Sequence, residues 1–262
     1  MKRIDYELLT KTIKGCRVER PDRIGAGTLS GHATGEPFEK KVYHCLKDIY
    51  PGFICKQYDF LNDIYRRNPQ VISVQDRYAL FNSPTAFFLL SRDDKDTRKE
   101  TPEAMFEEKQ NDTADILYHD GGFYELIDVK TRNIGKTAQP PNIISAYKLA
   151  RTCAVMLDNN EFDTIGIHYV EVDWAEDGDN LRCTDVHHGD LFKARPESLY
   201  INWAAAMQVQ FHVRDLDRSW TGSMEEWARG YLAVFVASAQ RRCDKMREMH
   251  ITPFLKYLPP TP

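Results

Sequence analysis

Apolar residues along the chain alternate between a helical and a strand period, and the switches divide it into elements. After Glu36-Pro37, the residues Phe38, Val42, Leu46 and Ile49 recur at helical spacing. A helix is predicted there with Pro37 at its first position, where a missing N–H costs nothing. A glycine-rich loop, Gly25 to Gly31, leads into it. Residues 59–67 predict a second helix, and the charged run 92–100 a mobile surface loop. The middle of the chain changes period. Residues 113–118 and 123–130 read as two strands joined by His119-Asp120-Gly121-Gly122, a hairpin signal. A polar loop with Pro140 and Pro141 then precedes a helix predicted over 143–157. Residues 165–174 and 181–186 form a second predicted hairpin, turning at Glu176-Asp177-Gly178-Asp179, and 209–213 a further strand. Ser223 and Glu226 form a capping box that opens a last helix, with Trp227, Tyr231 and Phe235 on its apolar face. This order predicts an α/β architecture, a mixed central β-sheet flanked by helices. With no internal repeat and no low-complexity linker, residues 1–262 are expected to form one domain.

Composition narrows the class without choosing a function. The chain is 42% hydrophobic and 28% charged, ordinary for a globular protein that buries a core. Its longest apolar runs, 85–90 and 231–237, are far too short for a membrane span. The first residues, Met1-Lys2-Arg3-Ile4-Asp5-Tyr6-Glu7, turn acidic at once, so no signal peptide and a cytoplasmic location are expected. The net charge of −4 argues against a tail-driven nucleic-acid binder, but distribution matters more than the sum. Between residues 129 and 156 stand Lys130, Arg132, Lys136, Lys148 and Arg151 with no acid, whereas Glu171, Asp173, Glu176, Asp177 and Asp179 collect elsewhere. The six cysteines are scattered and read as reduced thiols. Cys183 with His187-His188 is the one cluster to weigh for zinc, but adjacent histidines point apart and no second ligand pair follows, so a solvent-facing turn is expected.

Chemistry concentrates on the first hairpin. Asp128 and Lys130 are two apart on a strand and therefore share a face, while Ile127 and Val129 point the other way into a core. Antiparallel pairing can bring Asp115, near the start of the preceding strand, beside Asp128. Two carboxylates and an ammonium at one sheet edge suit metal-assisted phosphodiester hydrolysis. Magnesium takes about six oxygens and keeps several waters, so one or two carboxylates and the scissile phosphate are enough. Lys130 can orient or deprotonate the attacking water or stabilise the transition state; sequence leaves these roles open. The acid-x-lysine triplet alone has little specificity, since Glu39-Lys40-Lys41, Asp93-Asp94-Lys95 and Glu107-Glu108-Lys109 also carry it. Only Asp128-Val129-Lys130 has strand flanks, a hairpin and an upstream aspartate in register.

The pattern Asp115…Asp128-Val129-Lys130 resembles the PD-(D/E)xK nuclease superfamily, with Ala114 where proline usually precedes the first aspartate. Longer segments are similar to the HincII (HindII-type) family of type II restriction endonucleases. They include Gly27-Thr28-Leu29-Ser30-Gly31-His32-Ala33, Gly35-Glu36-Pro37-Phe38-Glu39-Lys40, and residues 106–116, 128–133, 141–150 and 199–215. The resemblance implies a homodimer that cuts double-stranded DNA at GTYRAC, centrally, to blunt ends with 5′-phosphates. It implies Mg²⁺ held by Asp115, Asp128 and the Val129 carbonyl, Lys130 as the catalytic lysine, and a companion methyltransferase protecting the same site. It places Ala138 and Gln139 in a loop that wedges into DNA, and Asn142, Tyr200 and Asn202 at the bases. Chemistry agrees, because an asparagine amide both donates and accepts and can read a base edge. Arg132 and Lys136, beside the catalytic strand, are expected as phosphate clamps. His32 and His212 are expected to be structural or to touch phosphate.

Two other readings stay open on sequence alone. One is a nuclease of the same superfamily acting in repair or junction resolution. The other is a sequence-specific DNA-binding protein without catalysis, against which the paired carboxylates Asp115 and Asp128 stand.

Overall fold

A computed structural model of the chain describes residues 3–21, 31–68, 70, 79–90, 113–137 and 139–258, with side chains of the helix Gly31–Ile49 described from residue 35 onward. Most of the glycine-rich loop, the His32 side chain, the charged run 92–100, the triplets at 93–95 and 107–109, and Ala138 lie outside the described residues. The elements in chain order are α1 (Tyr6–Ile13), β1 (Arg17–Glu19), α2 (Gly31–Ile49), β2 (Ile54–Cys55), α3 (Gln57–Arg67) and α4 (Pro84–Leu90). They continue with β3 (Ile116–His119), β4 (Tyr124–Asn133), β5 (Asn142–Ser145), α5 (Ala146–Asn159), β6 (Ile165–Asp177) and β7 (Asn180–Asp190). Last come β8 (Tyr200–Asn202), β9 (Gln208–Gln210) and α6 (Met224–Met246).

The main sheet runs β1-β7-β6-β4-β3-β2. It is mixed, because β4 and β6 pair in parallel while the other neighbours are antiparallel. The parallel step requires a crossover, which α5 supplies. Alternating side chains feed two cores, one on each face. Tyr124, Leu126, Ile165, Ile167 and Tyr169 pack with α3, α4, α5 and α6. Ile116, Ile127, Val170 and Val172 pack with Leu9 and Ile13 of α1 and Phe38, Val42 and Leu46 of α2. Helices on both faces of a mixed sheet are the architecture the periodicity predicts. Among the described residues, no helix is long and apolar enough to cross a membrane.

Several local expectations change. Pro37 lies inside α2, six residues after its start, and not at its first position. An interior proline costs about 3 kcal/mol, but Phe38, Val42 and Leu46 are fully buried and contribute roughly 1.5–3 kcal/mol each. The helix predicted from residue 143 starts at Ala146, because Ser145 caps it by accepting from Lys148 N–H at 3.3 Å, while residues 142–145 join a strand. The strand predicted at 209–213 ends at Gln210, and Val213 opens a 3₁₀ turn whose N–H donates to Glu171 Oε2 at 2.8 Å. Cys183, His187 and His188 are not in a solvent-facing turn but inside β7, with Cys183 buried. Strand alternation sends the two imidazoles apart, His187 toward Asp173 and His188 toward His168. The last helix keeps its predicted capping box, and Trp227 and Tyr231 stack within the core.

Candidate active site

The β3–β4 hairpin aligns the acids. Asp120 Oδ1 accepts from Phe123 N–H at 3.1 Å, and Gly121 turns the chain at φ +97, a conformation L side chains rarely adopt. The resulting register pairs Ile116 with Ile127, which sets Asp115, one residue earlier, opposite Asp128. Asp115 Oδ2 accepts from Val129 N–H at 2.7 Å, and the Asp115 carboxyl lies close enough to Asp128 to be pushed up by it. Asp128 Oδ2 in turn accepts from Lys130 Nζ at 2.7 Å. Ile127 and Val129 face the opposite core, as the period requires.

A buried glutamine holds the approach to Asp115. Gln57 Oε1 accepts from Thr113 N–H at 2.9 Å and Ala114 N–H at 3.0 Å, while its Nε2 donates to the Leu90 carbonyl at 2.9 Å. The side chain is 1% exposed, and these bonds engage both its carbonyl oxygen and its amide nitrogen away from water. Ala114 therefore has a physical reason to stand where the superfamily pattern has proline: its N–H is in use. Nothing in the sequence marks Gln57, a polar residue opening a short helix.

The electrostatics follow from crowding anions in a dry place. Burial, then the charge of Asp128, push the Asp115 carboxyl up to about 8, against the Val129 N–H and Lys130, which pull it down. Burial works against the charged form of Lys130, but Asp128, Asp115 and Glu39 outweigh it and hold the ammonium above its usual range. Glu39 of α2 is raised by burial and by Asp115, and its Oε1 bonds Lys56 Nζ at 2.7 Å. Among the described residues, no three His, Cys, Asp or Glu side chains form a cluster able to hold a metal ion. Two adjacent carboxylates with a strained charge balance nevertheless fit a hard divalent cation, which takes carbonyl, phosphate and water oxygens for the rest.

The acids that seemed remote in sequence return beside this strand. Parallel register pairs Lys130 with Glu171 and Arg132 with Asp173. Arg132 Nε donates to Asp173 Oδ1 at 2.8 Å, and its second nitrogen closes a bidentate pair on Oδ2. The basic segment is thus neutralised in part by β6, and Arg132 is engaged within the protein. Lys136 is exposed. His212 is buried and structural, its Nδ1 2.8 Å from Glu171 Oε1.

A second sheet, β5-β9-β8, gathers the residues expected at the bases. Asn142 and Tyr200 both pair with Gln210, and Asn202 pairs with Gln208, so side chains 58 residues apart in sequence share one face. Ile144, Ile201 and Val209 occupy the other face, in the core. Tyr200 is 62% exposed, Asn142 is exposed, and Gln139 lies exposed just before this sheet. Gln210 was not legible as a site residue from sequence; only the strand pairing puts it between Asn142 and Asn202.

Comparison with known proteins gives this geometry a family context. The family model described as restriction endonuclease HincII matches residues 9–258. The chain is 54% identical over 253 residues to the type II restriction enzyme HindII of Haemophilus influenzae, covering 97% of each chain. The type II restriction enzyme HincII of Haemophilus influenzae is also 54% identical over 253 residues, again covering 97% of each. Among solved structures, the NlaIV restriction endonuclease overlaps with a TM-score of 0.43 at 10% identity, covering 94% of this chain and 84% of that one.

Proposed function

Because the chain belongs to the HincII restriction endonuclease family, we propose that it is a type II site-specific deoxyribonuclease that hydrolyses double-stranded DNA at GTYRAC, centrally, leaving blunt ends with 5′-phosphates. The observation that carries the reading is the hairpin register, which supports one site built from Asp115, Asp128 and Lys130. Asp115, Asp128 and the Val129 carbonyl are the groups that hold Mg²⁺. A divalent cation held there would supply charge neutralisation at the phosphate and a more acidic water. Lys130, kept as an ammonium by its acidic neighbours, donates toward the attacking water or the phosphoryl oxygens. Asp128 aims that ammonium through the 2.7 Å bond to Nζ. Gln57 keeps the Asp115 segment in register.

Asn142, Tyr200 and Asn202 read base edges, Ala138 and Gln139 wedge beside the site, and Lys136 supplies positive charge along the backbone, while Arg132, expected as a second clamp, is taken up by Asp173. A palindromic target calls for a two-fold homodimer with one site per strand. Phe254, Leu255, Tyr257 and Leu258, each more than half exposed, offer apolar surface for a second subunit. The enzyme acts in the cytoplasm beside a methyltransferase that modifies the same sequence.

Digestion of a plasmid of known sequence with Mg²⁺, followed by sequencing of the fragment ends, tests the reading. Blunt ends at GTYRAC alone are expected. Discrete cuts elsewhere would keep the class and change the site, and specific binding without cutting would favour a DNA-binding protein.

A further inference from the structure

The three-stranded sheet carries a directed chain of side-chain amides. Asn202 Oδ1 accepts from two main-chain groups, Ala204 N–H at 3.0 Å and Ala205 N–H at 3.2 Å. A backbone N–H can only donate, so these two bonds decide which end of the Asn202 amide is oxygen. Its Nδ2 then points into the sheet and donates to Gln210 Oε1 at 2.9 Å. With that oxygen identified, Gln210 Nε2 is the end that reaches Asn142, donating to Asn142 Oδ1 at 2.7 Å. The orientation of three amides is therefore set from one Asx turn. Asn142 has no bond of this kind from its own strand; its direction comes through Gln210.

Cross-strand pairing explains how the chain closes. Gln210 lies directly opposite Asn142 on one side and Tyr200 on the other, with Asn202 on the diagonal of the same face. The register shift between Asn142 and Ile144 lets both Ile143 and Ile144 stay buried while Asn142 keeps to the polar face.

We propose that Gln210 is a specificity-determining positioning residue: it fixes the outward edge of Asn142 as an N–H donor and joins Asn142 and Asn202 into one reading surface. The proposal rests on the reading that this face meets base edges. On it, Asn142 Nδ2 addresses an acceptor such as a purine N7, a guanine O6 or a thymine O4. A flipped Asn142 amide would present its oxygen there and prefer an amino group.

Gln210→Glu separates this role from scaffolding. A carboxylate still accepts from Asn202 Nδ2 but repels Asn142 Oδ1, so the Asn142 amide turns over. The measurement is kcat/KM on a set of duplexes that each differ from the recognised sequence at one base pair, with thermal melting as the check on folding. Gln210→Glu is expected to lose on the order of 10-fold discrimination at the base pair read by Asn142 and to keep it at the others. Gln210→Met, which lacks both bonds, is expected to lose discrimination at the Asn142 and Asn202 positions together. Unchanged discrimination in both folded variants, or an equal rate loss on every duplex, would overturn the proposal. Absence of any discrete cutting by the unaltered protein would instead overturn the parent reading, and this one with it.

Discussion

The Asp115 carboxylate accepts a 2.7 Å hydrogen bond from the Val129 main-chain N–H, tying the residue before β3 to the middle of the Asp128-Val129-Lys130 triplet. The same strand segment thus offers a backbone donor to one acid, carries the second acid, and places Lys130 two residues from it on the same face. Register and not sequence distance makes these groups neighbours.

Lys130→Ala follows directly from that arrangement. The ammonium bonds Asp128, and in the proposed mechanism it serves the chemical step, so the variant is expected to bind specific DNA in Ca²⁺ while cutting at least 100-fold more slowly, a loss of about 3 kcal/mol in transition-state stabilisation. Single-turnover rates in Mg²⁺ check it; near-normal turnover removes Lys130 from the mechanism.

Ala114→Pro tests the Gln57 anchor. Proline has no N–H to give Gln57 Oε1, and the loss is expected to cost about 1–3 kcal/mol of stability. Urea unfolding reads the cost directly. A variant as stable as the parent would show that the Thr113 bond alone suffices.

Lys136 and Arg132 are expected to differ although both are basic and close in sequence. Lys136→Ala leaves the fold intact, weakens binding to all DNA alike and reduces the salt slope of log K by about 1. Arg132→Ala strands the buried Asp173 carboxylate and is expected to destabilise the protein by roughly 2–4 kcal/mol. Binding titrations at several salt concentrations, beside unfolding curves, separate the two.

A histidine pair gives the protein an acid-side weakness. His168 Nδ1 lies 2.9 Å from His188 Nε2, with Tyr6 stacked on both rings. Burial, with His188 beside it, lowers His168 to about 3, and burial with Arg218 lowers His188 to about 4. Histidines in the unfolded chain protonate near 6.5, so from there down to about 4 the unfolded state binds more protons and stability falls as pH falls. Each histidine contributes at most about 1.4 kcal/mol per pH unit. Glu125, pushed up to about 7 chiefly by burial, has the opposite slope between about 4.5 and 7. Glu125 keeps its contribution in His188→Gln, so unfolding free energies measured from pH 6.5 to 5 are expected to fall less steeply than in the parent. Parallel curves for the two proteins would contradict the assignment.

Much was legible in the residues themselves because it depends on neighbours in the chain. The hairpin at Gly121-Gly122, the shared face of Asp128 and Lys130, and the capping box at Ser223 all follow from local period and local hydrogen bonding. The long similarity around Asp115 and Asp128 carried the family in the same one-dimensional form. What tertiary structure alone decided was which distant residues meet. Pairing β4 with β6 set Asp173 on Arg132, so a basic stretch and an acidic one became partners. The packing of α3 brought Gln57 to Ala114, and the sheet β5-β9-β8 put Gln210 between Asn142 and Asn202. Those contacts leave no local pattern, because a buried amide is selected by the bonds it completes and those partners come from strands and helices far along the chain.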